Sequence, residues 1–173
     1  MQWVRLFVQW HGLQRRETWG CRKSRFFKAC WPQSNQQRVP SMIEQNQVMP
    51  LLLQACPSFE EDWLAHLAEY GDEPLLYVIA GDLARHLLML HRAGRDQELI
   101  PVVGAIEHMH VEGSLWVKEF ATIGILEGVQ NVWAHDRASL NEFEQMLGPE
   151  SRRWWLGLND FWDGKTAQVL PSA

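Results

Sequence analysis

No run of about 18 uncharged apolar residues occurs in the chain, which leaves no candidate for a membrane-spanning helix. Cysteine is scarce: Cys21, Cys30 and Cys56 make neither an even framework nor a CxxC pair. That excludes a disulfide scaffold or a cysteine-based zinc site and fits a reducing, cytoplasmic setting. HExxH, GxSxG and a glycine-rich phosphate loop are all missing, so no motif announces metal, acyl-transfer or nucleotide chemistry. His108 and His110 stand two apart, on nearly opposite sides of a helix, and cannot share one ion. Catalytic residues, metal ligands and cofactors are accordingly all expected to be none. Strict apolar–polar alternation, the mark of a half-buried strand, does not appear, nor does a sequence repeat.

What the chain does have is charge in two blocks. Residues 1–41 carry eight Lys and Arg against Glu17, while the whole chain is at −5, so the remainder stands at −12. An acidic domain disfavours nucleic acid and favours a basic protein partner. The first block mixes Trp3, Trp10, Trp19 and Trp31 with Arg and Cys without period. It also lacks a small-residue cleavage site and has Arg5 inside its apolar part, so it makes a poor secretory signal. A basic arm and an organelle presequence are alternatives; the reading preferred is a disordered or mis-assigned extension, with Met42 as the true start. The expected organisation is therefore 1–41 extension, 42–163 all-helical domain and 164–173 frayed tail.

From Ile43 the pattern is helical throughout. A short helix runs over Val48, Leu51 and Leu52 to Cys56. Ser58-Phe59-Glu60-Glu61 reads as a capping box starting a helix to Tyr70 that buries Phe59, Trp63, Leu64, Leu67 and Tyr70. Asp72-Glu73-Pro74 opens another, with Leu76, Ile79, Ala80, Leu83, Leu87 and Leu90 on its core face and Asp82 paired to His86. A fourth spans Asp96 to Val111, with Pro101 suited to a start nearer Glu98. Ser139-Leu140-Asn141-Glu142 is a second capping box, and Pro149 begins the last helix, PESRRWWLGLNDFW. The expected fold is all-α: a single-domain antiparallel helical bundle, or α-hairpin stack, of about six to seven helices.

The chain is organised around Ser114 to Trp133. Thr122, Ile125, Leu126, Val129, Val132 and Trp133 recur at helical spacing, and Leu115, Phe120 and Ile123 widen the stripe, as in a central helix. Gly124 and Gly128 suggest close approach of a neighbouring helix. Glu127, Asn131 and His135 at i, i+4 and i+8 form a polar ridge. It reads either as a solvated or capping edge, or as a recognition surface in which Glu127→Gln spares the fold and weakens binding.

The stretches EGSLWVKEFATIGILEGVQN and LGPESRRWWLGLNDFW, with the PSF…W…L opening at Pro57 to Leu64 and the helix carrying Ala84-Arg85-His86, resemble a family of small bacterial all-α proteins known as a domain of unknown function. The resemblance covers about residues 42–162. Such proteins resemble immunity and antitoxin-like proteins of bacterial toxin systems, which implies binding of a basic protein partner through an acidic face. Glu119, Glu127, Asn131, Arg152 and Trp155 match the family pattern and, with His135 from the ridge, are the expected partner-binding set. The alternatives are a small metal- or acid–base-dependent enzyme using Glu127 with a histidine, and a purely structural scaffold.

Overall fold

A computed structural model describes residues 42–71 and 73–172. The expectation for residues 1–41 lies outside them. The described elements are α1 (Gln45–Ala55), a 3₁₀ turn (Pro57–Phe59), α2 (Glu60–Tyr70), α3 (Leu76–Arg92), α4 (Asp96–Glu112), α5 (Leu115–Glu119), a π-helical segment (Phe120–Leu126), α6 (Glu127–Trp133), α7 (Arg137–Met146) and α8 (Pro149–Trp162). This is the all-α helical bundle the periodicity demands.

At the start, Ile43 is pinned to the turn between α4 and α5: its N–H donates to Glu112 O and its carbonyl accepts from Ser114 N, each at 2.9 Å. Gly113 is required there, because a Cβ would run into Met109 O and Val117. Short turns at Gly71 and Gly94, with φ of 64° and 70°, join α2 to α3 and α3 to α4 in a backbone region that suits glycine.

The central helix is not one continuous α-helix. Leu115–Glu119 and Glu127–Trp133 are α-helical, and the seven residues between them are π-helical. The wider π turn rotates the face of each following residue. Phe120, Ala121, Thr122, Gly124, Ile125, Leu126, Glu127, Gly128 and Val129 are all buried, with only Ile123 partly exposed. The segment is thus enclosed nearly all round, by α3 on one flank and by α8 and α4 on others. The Gly128 backbone lies against Ala80 O and Ala84 Cβ of α3, so the expected close approach is made there. At Gly124 the space is filled by the ring of Phe120 from the preceding turn.

Several local expectations are corrected. Ser58 does not cap α2; it sits within the 3₁₀ turn, and its hydroxyl faces His86. Asp136, not Ser139, starts α7: its carboxylate accepts from Ser139 N at 3.2 Å. Helix α4 does begin at Asp96, which leaves Pro101 in its interior, and Pro50 is interior to α1. Asp82 pairs with Arg85, one turn on, rather than with His86.

The tail is not frayed. Arg153 Nε donates to Ser172 O at 2.8 Å, Ser172 N returns a bond to Arg153 O at 3.0 Å, and Val169 packs on the core. Gly157 lets the Leu170 backbone lie directly on α8.

Helix α2 departs most from its pattern. Seven of its neighbour α3's residues are buried, as are seven on α4, yet α2 buries His66 alone. Leu64 and Tyr70, expected inside, are exposed, and Trp63 and Leu67 are half-buried. At roughly 1.5–3 kcal/mol for each large apolar side chain taken from water, α2 is the helix held least by the core.

Candidate functional site

Glu127 opens α6 immediately after the π-helical segment, and only 3% of it is exposed. One carboxylate oxygen, Oε2, has no hydrogen-bond partner. Burial pushes its pKa up to about 7, opposed by a hydrogen bond from Asn131. Glu127 sits beside Gly128, the point at which α6 packs closely on α3. Asn131 and His135 lie outside, both exposed. The expected ridge is therefore an acid inside with two polar residues above it.

Arg152 and Trp155 of the motif LGPESRRWW meet at Glu144 of α7. Trp155 Nε1 donates to Glu144 Oε2 at 3.1 Å, and Arg152 Nη2 reaches Oε1 at 3.4 Å. Trp155 is fully buried, so it fills the core rather than presenting a surface anchor, while Arg152 is exposed. Glu119 is half-buried. Its charge adds to the burial that raises the Tyr77 phenol above its ordinary value.

The rest of that motif docks α8 on α4. The Glu107 carboxylate accepts from the amides of Glu150 and Ser151 at 3.0 and 2.8 Å, capping α8 from another helix. Ser151 Oγ is 2.9 Å from His110 Nδ1, and His110 Nε2 is 3.1 Å from Thr122 Oγ1. Thr122 gives its hydroxyl hydrogen to Lys118 O, so its oxygen accepts from His110 Nε2–H. Burial lowers the His110 pKa to about 4, which keeps the imidazole neutral. Sequence reasoning placed His110 in the metal question and missed this network, which ties α4, α8 and the π-helical segment together.

A third cluster has the residue order of a hydrolase triad. Ser58 Oγ lies 2.9 Å from His86 Nε2, and His86 Nδ1 lies 3.1 Å from Asp62 Oδ2. The same hydroxyl also serves Glu98, whose pKa is held below its ordinary value first by that bond and further by Arg95. A serine whose one hydroxyl hydrogen is shared between a histidine and a carboxylate is not committed to that histidine as a triad nucleophile is. The arrangement pins the start of α2 to α3 and α4. Among the described residues no three His, Cys, Asp or Glu side chains gather as a metal site.

The surface shows a signal that the whole-block charge count concealed. Residues 42–84 hold eight Asp and Glu and neither Lys nor Arg; the first base is Arg85. Of the eight Lys and Arg from Arg85 onward, Arg85, Arg92, Arg95, Arg152, Arg153 and Lys165 are each paired to an acid. Within the purely acidic stretch an open trough of about 760 Å³ runs along α1. Met49 and Leu53 of α1, Trp63 of α2 and Leu76 of α3 are among its walls, and Glu44 and Glu73 stand on its lining. Counting bases window by window would have found the acidic face; the trough needed the helix packing.

Fold and sequence together define a small all-α domain with a buried acid in its central helix and, in residues 42–84, a stretch without Lys or Arg that holds an open, partly apolar trough. Residues 49–163 match the family model described as domain of unknown function DUF7674, and the chain belongs to that family. Neither a curated protein nor a solved structure matches the chain.

Proposed function

We propose that the helical domain is a protein-interaction module that binds a basic partner through its acidic N-terminal face. The observation that supports this most is charge segregation: the face built from residues 42–84 has no base of its own, and most bases elsewhere are already paired. A field of one sign steers oppositely charged partners and repels others. Glu119, Asn131, His135 and Arg152 extend the contact candidates beyond that face, while Glu127 and Trp155 act from inside by holding the helices that present them. An immunity- or antitoxin-like role in a bacterial cytoplasm, neutralising a basic toxin, is the form of this reading that the sequence resemblance favours. An acid–base enzyme pairing Glu127 with a histidine has less behind it, because the one hydrogen bond that stabilises the Glu127 carboxylate comes from Asn131.

The test is capture of partners on the immobilised full chain from lysate of its native cell, followed by elution with rising salt. A basic protein released as salt approaches about 1 M, where the screening length falls to about 3 Å, is the expected result. A partner of acidic character, or one retained undiminished at high salt, would overturn the proposal.

A further inference from the structure

We infer that the trough along α1 seats a cationic amphipathic helical segment of the partner, with apolar side chains against Met49, Leu53, Trp63 and Leu76 and Lys or Arg over Glu44 and Glu73. The inference rests on the acidic-face reading above and locates its site. Three observations select this occupant. The trough follows α1 from Gln45 to Leu53, a wall about 12 Å long, between two and three helical turns. Its walls are apolar while Glu44 and Glu73 are exposed, and no Lys or Arg stands anywhere in residues 42–84 to answer them. An acidic rim around an apolar floor is complementary to one helix type, apolar on one stripe and basic beside it.

Trp63 is the anchor the site offers. It is half-exposed and held in place by a ring stack: Trp63 on His66 at 5.9 Å with an interplanar angle of 15°, and His66 on Tyr70 at 4.5 Å. A tryptophan fixed in advance contributes contact area with little ordering cost, the property that makes this residue common at binding hot spots. The weak burial of α2 then has a use at one position: Trp63, left half out of the core, is the side chain that α2 gives to the trough.

The probe is a synthetic helical peptide of Leu and Lys in amphipathic order, titrated into the ¹⁵N-labelled full chain. A peptide of the same pattern with Glu for Lys is the control. The Lys peptide should move the Trp63 indole signal and the amides of Leu53 and Leu76, and the Glu peptide should not. Glu44→Gln with Glu73→Lys, the glutamine keeping the side-chain oxygen at the N-cap of α1, should weaken the Lys peptide by about tenfold or more. Glu60→Lys with Glu61→Lys, on the same acidic face but outside the trough, should weaken it less than about twofold. All four positions are exposed, so the spectra of the variants check that the fold persists.

Equal weakening by both pairs, or shifts away from Trp63, would overturn the trough while leaving the acidic-face reading intact. Absence of binding by the Lys peptide overturns the trough, and if lysate capture also yields no salt-released basic partner, both readings fall. Movement of the same signals with protein concentration alone would assign the trough to a second copy of the chain and overturn the inference.

Discussion

The carboxylate of Glu107 stands where the first side-chain carbon of any other residue at Gly148 would have to lie. The two residues are 41 positions apart, yet each dictates the other. Glu107 satisfies the leading amides of α8, whose donors have no partner within the helix, and only glycine lets it come close enough. Gly148→Ala should therefore cost about 1–3 kcal/mol, the range for forcing an atom into a packed site. Urea denaturation checks it. Glu107→Gln in the Gly148→Ala background should cost much less than it does alone, because the capping bonds are already displaced. Full additivity of the two costs would show that the residues do not act on one contact.

Stability against pH should carry two opposed contributions. Glu127 has a folded pKa of about 7 against an ordinary 4.5, so the folded state binds the extra proton. Its contribution is fully present below pH 4.5 and is lost as pH rises through 7. His110 is depressed to about 4 from 6.5; its contribution is present above 6.5 and is lost as pH falls through 4. Between about 4.5 and 6.5 the two offset one another, and above 6.5 only the Glu127 loss remains. Thermal midpoints should thus be nearly level from pH 5 to 6.5 as regards these two groups, then fall by pH 8. Glu127→Gln should remove the fall above 6.5 and expose a rise from pH 4.5 to 6.5 due to His110. If Glu127→Gln leaves the slope above pH 6.5 unchanged, the buried acid is not the titrating group. Because Glu127 is nearly inaccessible, any effect of this substitution on partner binding would be transmitted through the α3–α6 packing, not through direct contact.

The helices were legible because their stripes obey one period. On α3 nearly every residue expected inside is inside, and Gly71, Gly94 and Pro149 punctuate the chain as local backbone preference requires. The π-helical segment was not legible. A change of hydrogen-bond register leaves no residue signature, and the burial of Glu127 next to it could not be read from the ridge. The capping boxes at Ser58 and Ser139 misled because a side chain that can serve its own backbone is equally free to serve another helix, as Ser58 does with His86. Arg152 and Trp155 were recognisable as a motif, but a motif held for docking α8 reads the same in sequence as one held for a partner. The acidic stretch was visible in composition, whereas the trough arises from how α1, Trp63 of α2 and the start of α3 pack, and periodicity cannot tell an apolar stripe facing the core from one facing solvent.

That loosely packed α2 depends on polar contacts to an unusual degree. His86 joins it to α3 through Ser58 and Asp62, while the core holds it only through His66 and its half-buried neighbours. Asp62 is about half exposed, so water screens its contact with His86, and the whole pin contributes about 1 kcal/mol or somewhat more. His86→Ala should therefore raise the local opening constant of α2 by roughly tenfold, seen as faster amide hydrogen exchange from Glu60 to Tyr70. Exchange in Glu127–Trp133, enclosed by the core, should hardly change. Acceleration spread evenly over all helices would mean that His86 supports the fold as a whole. Unchanged exchange in α2 would mean that packing of Phe59 and Trp63 holds the helix without the pin.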